Sequence, residues 1–197
     1  MSNRRSKNLP RLNPNQVLGL CVRTNDVIQS LDFALENKLD LMILDQSKGL
    51  QEDWVELSSS PDLTLMRDAV HYLRSIGKEE EIALVNFGGM RSGTDVAKAL
   101  AYNCTASIFG TAMGIALGGE INNHSMEFKK ELTDQELCEA AVKWIRGTAQ
   151  ETAIIARCAG KTNVHNLEPE DMRAITLAAS KALSLPLASG PLKREDF

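Results

Sequence analysis

The chain has 197 residues, 43% of them hydrophobic, which is enough for one substantial core. Its 22 basic and 26 acidic residues give a net charge of -4, which excludes the general basic field that nucleic-acid binding requires. The aromatic content of 5% is too low for a base-stacking surface. The four cysteines form no Cys-x-x-Cys pair, so the sequence predicts neither a zinc site nor a local disulfide framework.

Residues 1–16 form a basic N-terminal arm, and no acidic residue precedes Asp26. Pro10 and Pro14 interrupt any long amphipathic helix, which favours a solvated arm, or a segment that lies on a partner, over a transit peptide. No apolar run reaches the length of about 18 residues needed to span a bilayer, and the N-terminus lacks the apolar core of a secretory signal. We therefore expect a cytoplasmic protein.

Four short apolar runs alternate with segments of helical periodicity. The runs cover residues 17–22, 39–44, 82–87 and 105–110, and they are nearly continuous, as parallel strands covered on both faces are. Helical spacing occupies residues 26–37, 63–76 and 94–103 between them. This succession predicts βαβ crossovers and a parallel sheet.

The third run leads through paired glycines directly into a helix. Gly88 and Gly89 allow close approach of the backbone, and Thr94 and Asp95 are candidates to cap the helix. N–H groups and the dipole at a helix N-terminus favour a phosphate, so the segment predicts an anion cradle for a phosphorylated cofactor. A glycine-rich turn without a ligand is the alternative.

After the fourth run the pattern changes to a short apolar segment at 112–117, a polar connector at 118–130 and two longer helices. The first helix is predicted over 134–158, with Gly160 beyond its end, and the second over 168–183, with Pro169 at a first helical position. We assign residues 17–130 to strand–helix units and residues 131–197 to a C-terminal helical extension.

Three segments together resemble the FMN-binding domain of the glutamate synthase family. They are GGMRSGTDVAKAL at 88–100, IFGTAMGIALG at 108–118 and ARCAGKTNVHNLEPED at 156–171. In that family a (β/α)8 barrel holds FMN and reduces 2-iminoglutarate, formed from 2-oxoglutarate and ammonia, to glutamate. The resemblance covers about residues 17–190 and corresponds to the last four strand–helix units plus the C-terminal helices. It implies an α/β fold that is the C-terminal half of a TIM-type barrel.

The resemblance also implies a cofactor site. In the family, the turns after the seventh and eighth strands hold the FMN phosphate, the usual phosphate location in this fold. The corresponding residues here are Gly88, Gly89, Met90, Arg91, Gly110 and Thr111. Arg91 would add a charge-assisted bond and Thr111 a hydroxyl donor. The alternative for Arg91 is a pair with Asp95.

Departures from the family pattern weaken the case for independent catalysis. The first run lacks the lysine that the family places near the flavin, and no cation follows until Arg23. The family's glycine-rich segment is replaced by residues 45–53, which keep Asp45 and Gly49. Residues 118–125 lack the family's cysteine cluster, so FMN is an expected cofactor whereas an iron–sulfur cluster is not. We assign no catalytic residue and no metal ligand.

Two functions remain open on the sequence. One is an FMN-binding, glutamate synthase-like domain or subunit that is incomplete alone; the other is a catalytically inactive half-barrel that acts as a scaffold or regulatory subunit. A half-barrel exposes two sheet edges and an apolar inner face. We therefore expect a homo-oligomer or a complementary subunit that supplies the other half of the barrel, with no nucleic acid or membrane partner.

Overall fold

The computed structural model describes residues 11–23, 26–47, 61–122, 125–129 and 131–190. Four strands alternate with the first helices: β1 (Gly19–Val22), α1 (Val27–Glu36), β2 (Leu41–Asp45), α2 (Thr64–Ser75), β3 (Ala83–Phe87), α3 (Gly93–Ala101) and β4 (Ala106–Ile108). The elements that follow are α4 (Thr111–Ala116), β5 (Glu120–Asn122), β6 (Ser125–Glu127), α5 (Asp134–Cys158) and α6 (Leu177–Leu183). Two short 3-10 helices, Val164–Asn166 and Pro169–Asp171, lie between α5 and α6.

The first four strands form one parallel sheet in the order β1-β2-β3-β4. This confirms the predicted α/β architecture of four parallel strands with intervening helices. The register pairs Asp45 with Phe87 and Phe87 with Ile108, so the carboxyl ends of the strands meet at one edge of the sheet. The turns that follow the strands are thereby brought together.

The two faces of the sheet differ in burial. Met42, Leu44 and Leu84 are at most 1% exposed and pack in the main core with residues of α1 and α2, such as Leu31 and Met66. Alternate residues lie on the opposite face because successive side chains of a strand point to opposite sides. We call this the inner face; its described residues are Gly19, Cys21, Arg23, Leu41, Ile43, Asp45, Ala83, Val85, Phe87, Ala106 and Ile108. Cys21 and Ala106 are exposed there, and Ile108 is 37% exposed.

The predicted helix over residues 134–158 is confirmed as α5. Thr133 and Glu136 form a capping box at its start, which satisfies N–H groups that the first turn leaves unpaired. At its end Gly160 has a φ of +76°, a conformation that glycine adopts without a steric penalty. The helix lies across α3, where Thr152 donates to the Gly93 carbonyl over 3.1 Å.

The predicted helix over residues 168–183 is wrong. The 3-10 turn ends at Asp171, Met172 is extended with a ψ of 151°, and helical structure resumes only at Leu177. The interruption has a tertiary cause: the buried Ala174 forms a parallel bridge with Leu187. Its N–H donates to the Pro186 carbonyl and its carbonyl accepts from the Ala188 N–H, both over 2.9 Å.

The predicted polar connector at 118–130 contains the antiparallel ribbon of β5 and β6. Both strands have only three residues, too few for a recognisable alternation. Among the described residues, no helix combines the length and the apolar character that crossing a bilayer would require.

Candidate functional site

The turn after β3 is built on two glycines in the left-handed region. Gly88 has a φ of +100° and Gly89 a φ of +70°, which other residues adopt only with strain. A Cβ at Gly88 would lie 2.3 Å from the Ser47 nitrogen, and a Cβ at Gly89 would lie 2.9 Å from the Pro61 Cα. Both glycines are therefore required by the protein's own packing, before any ligand is considered.

Two backbone N–H groups of this turn have no partner within the part of the chain that the structure describes. Neither the Gly89 nor the Met90 N–H donates a hydrogen bond to any residue in the described ranges, although Met90 is 4% exposed. Buried backbone donors without a partner are rare in folded proteins. Two consecutive N–H groups that point to no described acceptor, in a positive-φ turn, fit an anionic oxygen.

Arg91 forms the ion pair with Asp95 that the sequence left as its alternative. Nε donates to Oδ2 over 2.9 Å and Nη2 to Oδ1 over 3.2 Å, and the Arg91 backbone N–H also donates to Oδ2 over 3.2 Å. Asp95 is 1% exposed, and its hydrogen bond to the guanidinium raises the pKa of Arg91. The pair fixes the end of the glycine turn, and a direct bond from Arg91 to a phosphate stays a prediction.

The start of α3 differs from the prediction, and the expected capping by Thr94 and Asp95 is wrong. Ser92 is the N-cap residue and makes no side-chain capping bond. The carboxylate of Glu151, on α5, instead accepts from the Gly93 N–H over 2.8 Å and from the Thr94 hydroxyl over 2.5 Å. The hydrogen bond from Thr94 lowers the pKa of Glu151 below its usual value. An internal carboxylate thus occupies the place at this helix N-terminus where the sequence predicted a phosphate.

The second predicted turn lies beside the first. Gly110 is the N-cap residue of α4, which begins at Thr111. A Cβ at Gly110 would lie 3.8 Å from the Phe87 ring, and Phe87 immediately precedes the glycine turn. The structure therefore brings all six predicted site residues to one edge of the sheet. Their binding of a cofactor stays a prediction.

An ion pair that the sequence analysis missed lies at the same edge. Arg23 follows β1; its Nε donates to Asp45 Oδ2 over 2.8 Å, and its Nη2 lies 2.7 Å from the same oxygen in an ion pair. Ser47 donates to Asp45 Oδ1 through its hydroxyl over 2.6 Å and its backbone N–H over 2.9 Å. Burial raises the pKa of Asp45, but these hydrogen bonds outweigh it and hold the pKa below its usual value. Gly49, in the replaced glycine-rich segment, lies outside the described residues.

Two amides connect β2 to the glycine turn. Gln46 Nε2 donates to Asn86 Oδ1 over 2.9 Å, and Asn86 Nδ2 donates to the Gly88 carbonyl over 3.4 Å. Asn86 is completely buried. The sequence contained a signal for this contact, because Asn86 is a polar residue inside the apolar run 82–87. A buried amide requires hydrogen-bond partners.

Comparisons with known proteins show the family of the chain. Residues 20–125 match the model of a conserved region in glutamate synthase. The chain therefore belongs to the glutamate synthase family. It is 31% identical over 189 residues to a glutamate synthase large subunit-like protein of Rhizobium meliloti. The match covers 79% of the chain but 43% of the relative, so the chain spans less than half of that protein.

Solved structures show the same fold. The flavin-binding domain of baker's yeast flavocytochrome b2 matches with a TM-score of 0.51 at 24% identity, over 76% of the chain and 32% of that domain's chain. A flavocytochrome b2 variant with bound sulfite matches with a TM-score of 0.54 at 22% identity, over 76% of the chain and 33% of its own. The chain thus shares its fold with part of flavocytochrome b2 and corresponds to about a third of those chains.

Proposed function

We propose that this chain supplies the phosphate-binding half of an FMN site in a glutamate synthase-type oxidoreductase. The observation that carries the proposal is that the Gly89 and Met90 N–H groups have no hydrogen-bond partner among the described residues, in a turn that lies beside the Gly110–Thr111 turn. Family membership and the flavin-binding domain among the structural relatives support FMN as the ligand.

In this proposal the residues of the turn hold and orient the cofactor. The N–H groups of Gly89 and Met90 donate to phosphate oxygens, while the Arg91–Asp95 pair holds the turn in place. Bound FMN would supply the two-electron reduction of an imine, in the family reaction that converts 2-iminoglutarate to glutamate. The chain's own residues contribute binding and orientation.

We also propose that four further strands close the barrel, from a second copy of this chain or from a complementary half-barrel subunit. The strands β1 and β4 lie at the two edges of the described sheet. A largely apolar cavity of about 410 Å³ lies beside β4, between α3 and α5. Unpaired edges and open apolar surface favour association.

Titration with FMN and with riboflavin tests the phosphate site, because the two ligands share the flavin ring and differ in the phosphate. We expect FMN to bind at least about 10-fold more tightly, a difference of ~1.4 kcal/mol. Gly89→Ala should reduce this preference, because the new Cβ would displace the turn at Pro61. Gly77→Ala is the matched control, since Gly77 has a φ of +66° with no atom within 4 Å of its Cβ position. Equal affinity for the two flavins, or no binding of either by the chain alone and together with a complementary half, would contradict the proposal.

A second candidate function is a non-catalytic scaffold. It is favoured by the two internal carboxylates: Glu151 holds the start of α3, and Asp95 holds Arg91. Changing Gly89 and Arg91 together separates the candidates. Loss of FMN affinity in a folded double variant supports the cofactor site, whereas an unchanged binding profile supports the scaffold.

A further inference from the structure

We propose that a polar cavity at the amino edge of the sheet binds a small zwitterion, an α-amino acid with a polar side chain. The cavity has a volume of about 460 Å³. We call it the amino-edge cavity; its lining includes the charged side chains of Arg74, Glu79, Lys161 and Glu168. Its volume lies in the range of about 300–1,000 Å³ that is typical of small-molecule sites.

The chain topology places this cavity at the end of the sheet opposite to the glycine turn. Arg74 lies in the last turn of α2, and Asn103 lies between α3 and β4. In a strand–helix–strand unit the helix returns the chain to the amino ends of the parallel strands. The five residues of β3 separate the two edges of the sheet by roughly 15 Å. A ligand in the amino-edge cavity is therefore separate from one held by the glycine turn.

The charges that line the cavity are balanced in two ion pairs. Arg74 Nε lies 3.3 Å from Glu79 Oε2, and Lys161 Nζ lies 3.1 Å from Glu168 Oε2. Lys161 Nζ also lies 3.3 Å from Asp171 Oδ2, which does not line the cavity. An anionic ligand would face both lining carboxylates, and a cationic ligand would face both lining cations. A zwitterion offers each of these groups a charge of the opposite sign.

Both ion pairs leave groups that are accessible to a ligand. Nη1 and Nη2 of Arg74 make no hydrogen bond to a residue in the described ranges, and the side chain is 43% exposed. The free end of a planar guanidinium presents N–H donors in the geometry that a carboxylate accepts. The Glu168 side chain is 60% exposed, so its carboxylate can also accept from a ligand ammonium group.

The end of α3 adds a second attraction for an ammonium group. Ala101, the last residue of this helix, lines the cavity. The Thr105 N–H would bond to the Ala101 carbonyl if the helix continued, but it donates to the Leu84 carbonyl over 2.7 Å. Carbonyl groups at a helix C-terminus carry partial negative charge and favour a cation.

Three further polar side chains of the lining fit a polar ligand side chain. The amides of Asn103 and Asn166 and the imidazole of His165 make no hydrogen bond to any residue that the structure describes. Amide and imidazole groups can both donate and accept hydrogen bonds. A ligand amide or hydroxyl would therefore find partners here, whereas an apolar side chain would not.

A solvent-filled groove with purely structural ion pairs is the competing explanation. Two ion pairs elsewhere in the chain provide matched controls, since neither cation lines the cavity. Arg11 pairs with Asp40 over 2.9 Å, and Lys129 pairs with Glu120 over 2.9 Å. Arg11→Met is therefore the control for Arg74→Met, and Lys129→Met is the control for Lys161→Met.

Calorimetric titration of L-asparagine into the full chain tests the site. Succinamate lacks the ammonium group of asparagine, and 3-aminopropanamide lacks its carboxylate. We expect L-asparagine to bind at least about 10-fold more tightly than either analogue, because each analogue loses one charged interaction. This comparison uses the original chain, so it does not depend on the folding of a variant.

Substitutions then assign the binding to the lining residues. Arg74→Met and Lys161→Met should each weaken L-asparagine binding by roughly 10- to 100-fold, and the two controls should change it by less than about two-fold. Asn103→Gly should weaken it by a smaller factor, since Asn103 has a φ of +56° that glycine adopts without strain. Thermal unfolding of each variant verifies that the fold is retained.

The outcomes separate this site from the proposed cofactor turn. Binding of L-asparagine that depends on Arg74 and is unchanged by saturating FMN supports the amino-edge cavity, whether or not the chain binds flavin. No binding of L-asparagine, equal affinity for the three probes, or equal losses in Arg74→Met and Arg11→Met would overturn the proposal. Displacement of L-asparagine by FMN would also overturn it, because the two ligands would then share one site.

Discussion

Single residues at the carboxyl edge of the sheet are constrained first by contacts within the protein. Gly88 and Gly77 both have positive φ, but only Gly88 is packed against neighbouring backbone. The sequence located the glycine turn correctly because paired glycines after an apolar run are a local signal. It did not indicate that Ser47 and Pro61 are what the glycines contact.

We predict that Gly88→Ala destabilises the fold much more than Gly77→Ala. The left-handed conformation alone costs a non-glycine residue ~1–2 kcal/mol, and this is the loss expected at Gly77. At Gly88 the collision with Ser47 adds to this conformational cost, so the free energy of unfolding should fall by more than about 3 kcal/mol. Denaturant unfolding of the two variants measures the difference, and equal losses would show that the turn relaxes around the new Cβ.

The Asp45 carboxylate gives stability a dependence on pH. Its folded pKa is below the usual value, so its contribution is complete above ~3.9, the pKa of an unfolded Asp, and is lost as the pH falls through the folded pKa. We predict that Asp45→Asn costs about 1–3 kcal/mol at neutral pH and that this cost shrinks in acid. Unfolding curves between neutral pH and pH ~2 test the sign. Asp40→Asn, at an exposed pair, should show a smaller effect.

At the scale of secondary structure, the contact between α3 and α5 decides how the glycine turn is supported. Glu151 and Thr152 of α5 bond to the first turn of α3. The helices α3 and α5 were predictable from their periodicity, but their contact was not, because Gly93 and Glu151 are 58 residues apart. The broken helix at 168–183 has the same explanation, since the Ala174 bridge is a tertiary contact.

We predict opposite effects from the same substitution at two helical glycines. A Cβ at Gly93 would lie 2.4 Å from the Thr148 carbonyl oxygen. Gly93→Ala should therefore push α3 and α5 apart and lower the free energy of unfolding by ~1–3 kcal/mol. Gly147, inside α5, has no atom within 4 Å of its Cβ position, so Gly147→Ala should stabilise by up to about 1 kcal/mol. Thermal unfolding of both variants checks the signs. Stabilisation by Gly93→Ala would mean that the two helices do not pack closely in solution.

For the whole molecule, the inner face and the β4 edge are the surfaces that a closed barrel would cover. We predict that Ile108→Asp, on the inner face beside the edge, abolishes self-association or association with a complementary half. Ile154→Asp is the control, because Ile154 is 51% exposed on α5 and is not a residue of the inner face. Light scattering at micromolar concentration measures the assembly. A monodisperse monomer, for the original chain alone and with a complementary half, would contradict closure by association.

The four strands, the helices between them and the positions of both turns were predictable from the amino-acid sequence, because they depend on residues close together in the chain. The tertiary structure alone decided which groups meet at those turns. Asp45 binds Arg23 from 22 residues away, and Glu151 takes the helix N-terminus at which the sequence predicted a phosphate. Which charged groups pair depends on their distance and burial in the folded chain. A local sequence pattern gives no information on either quantity.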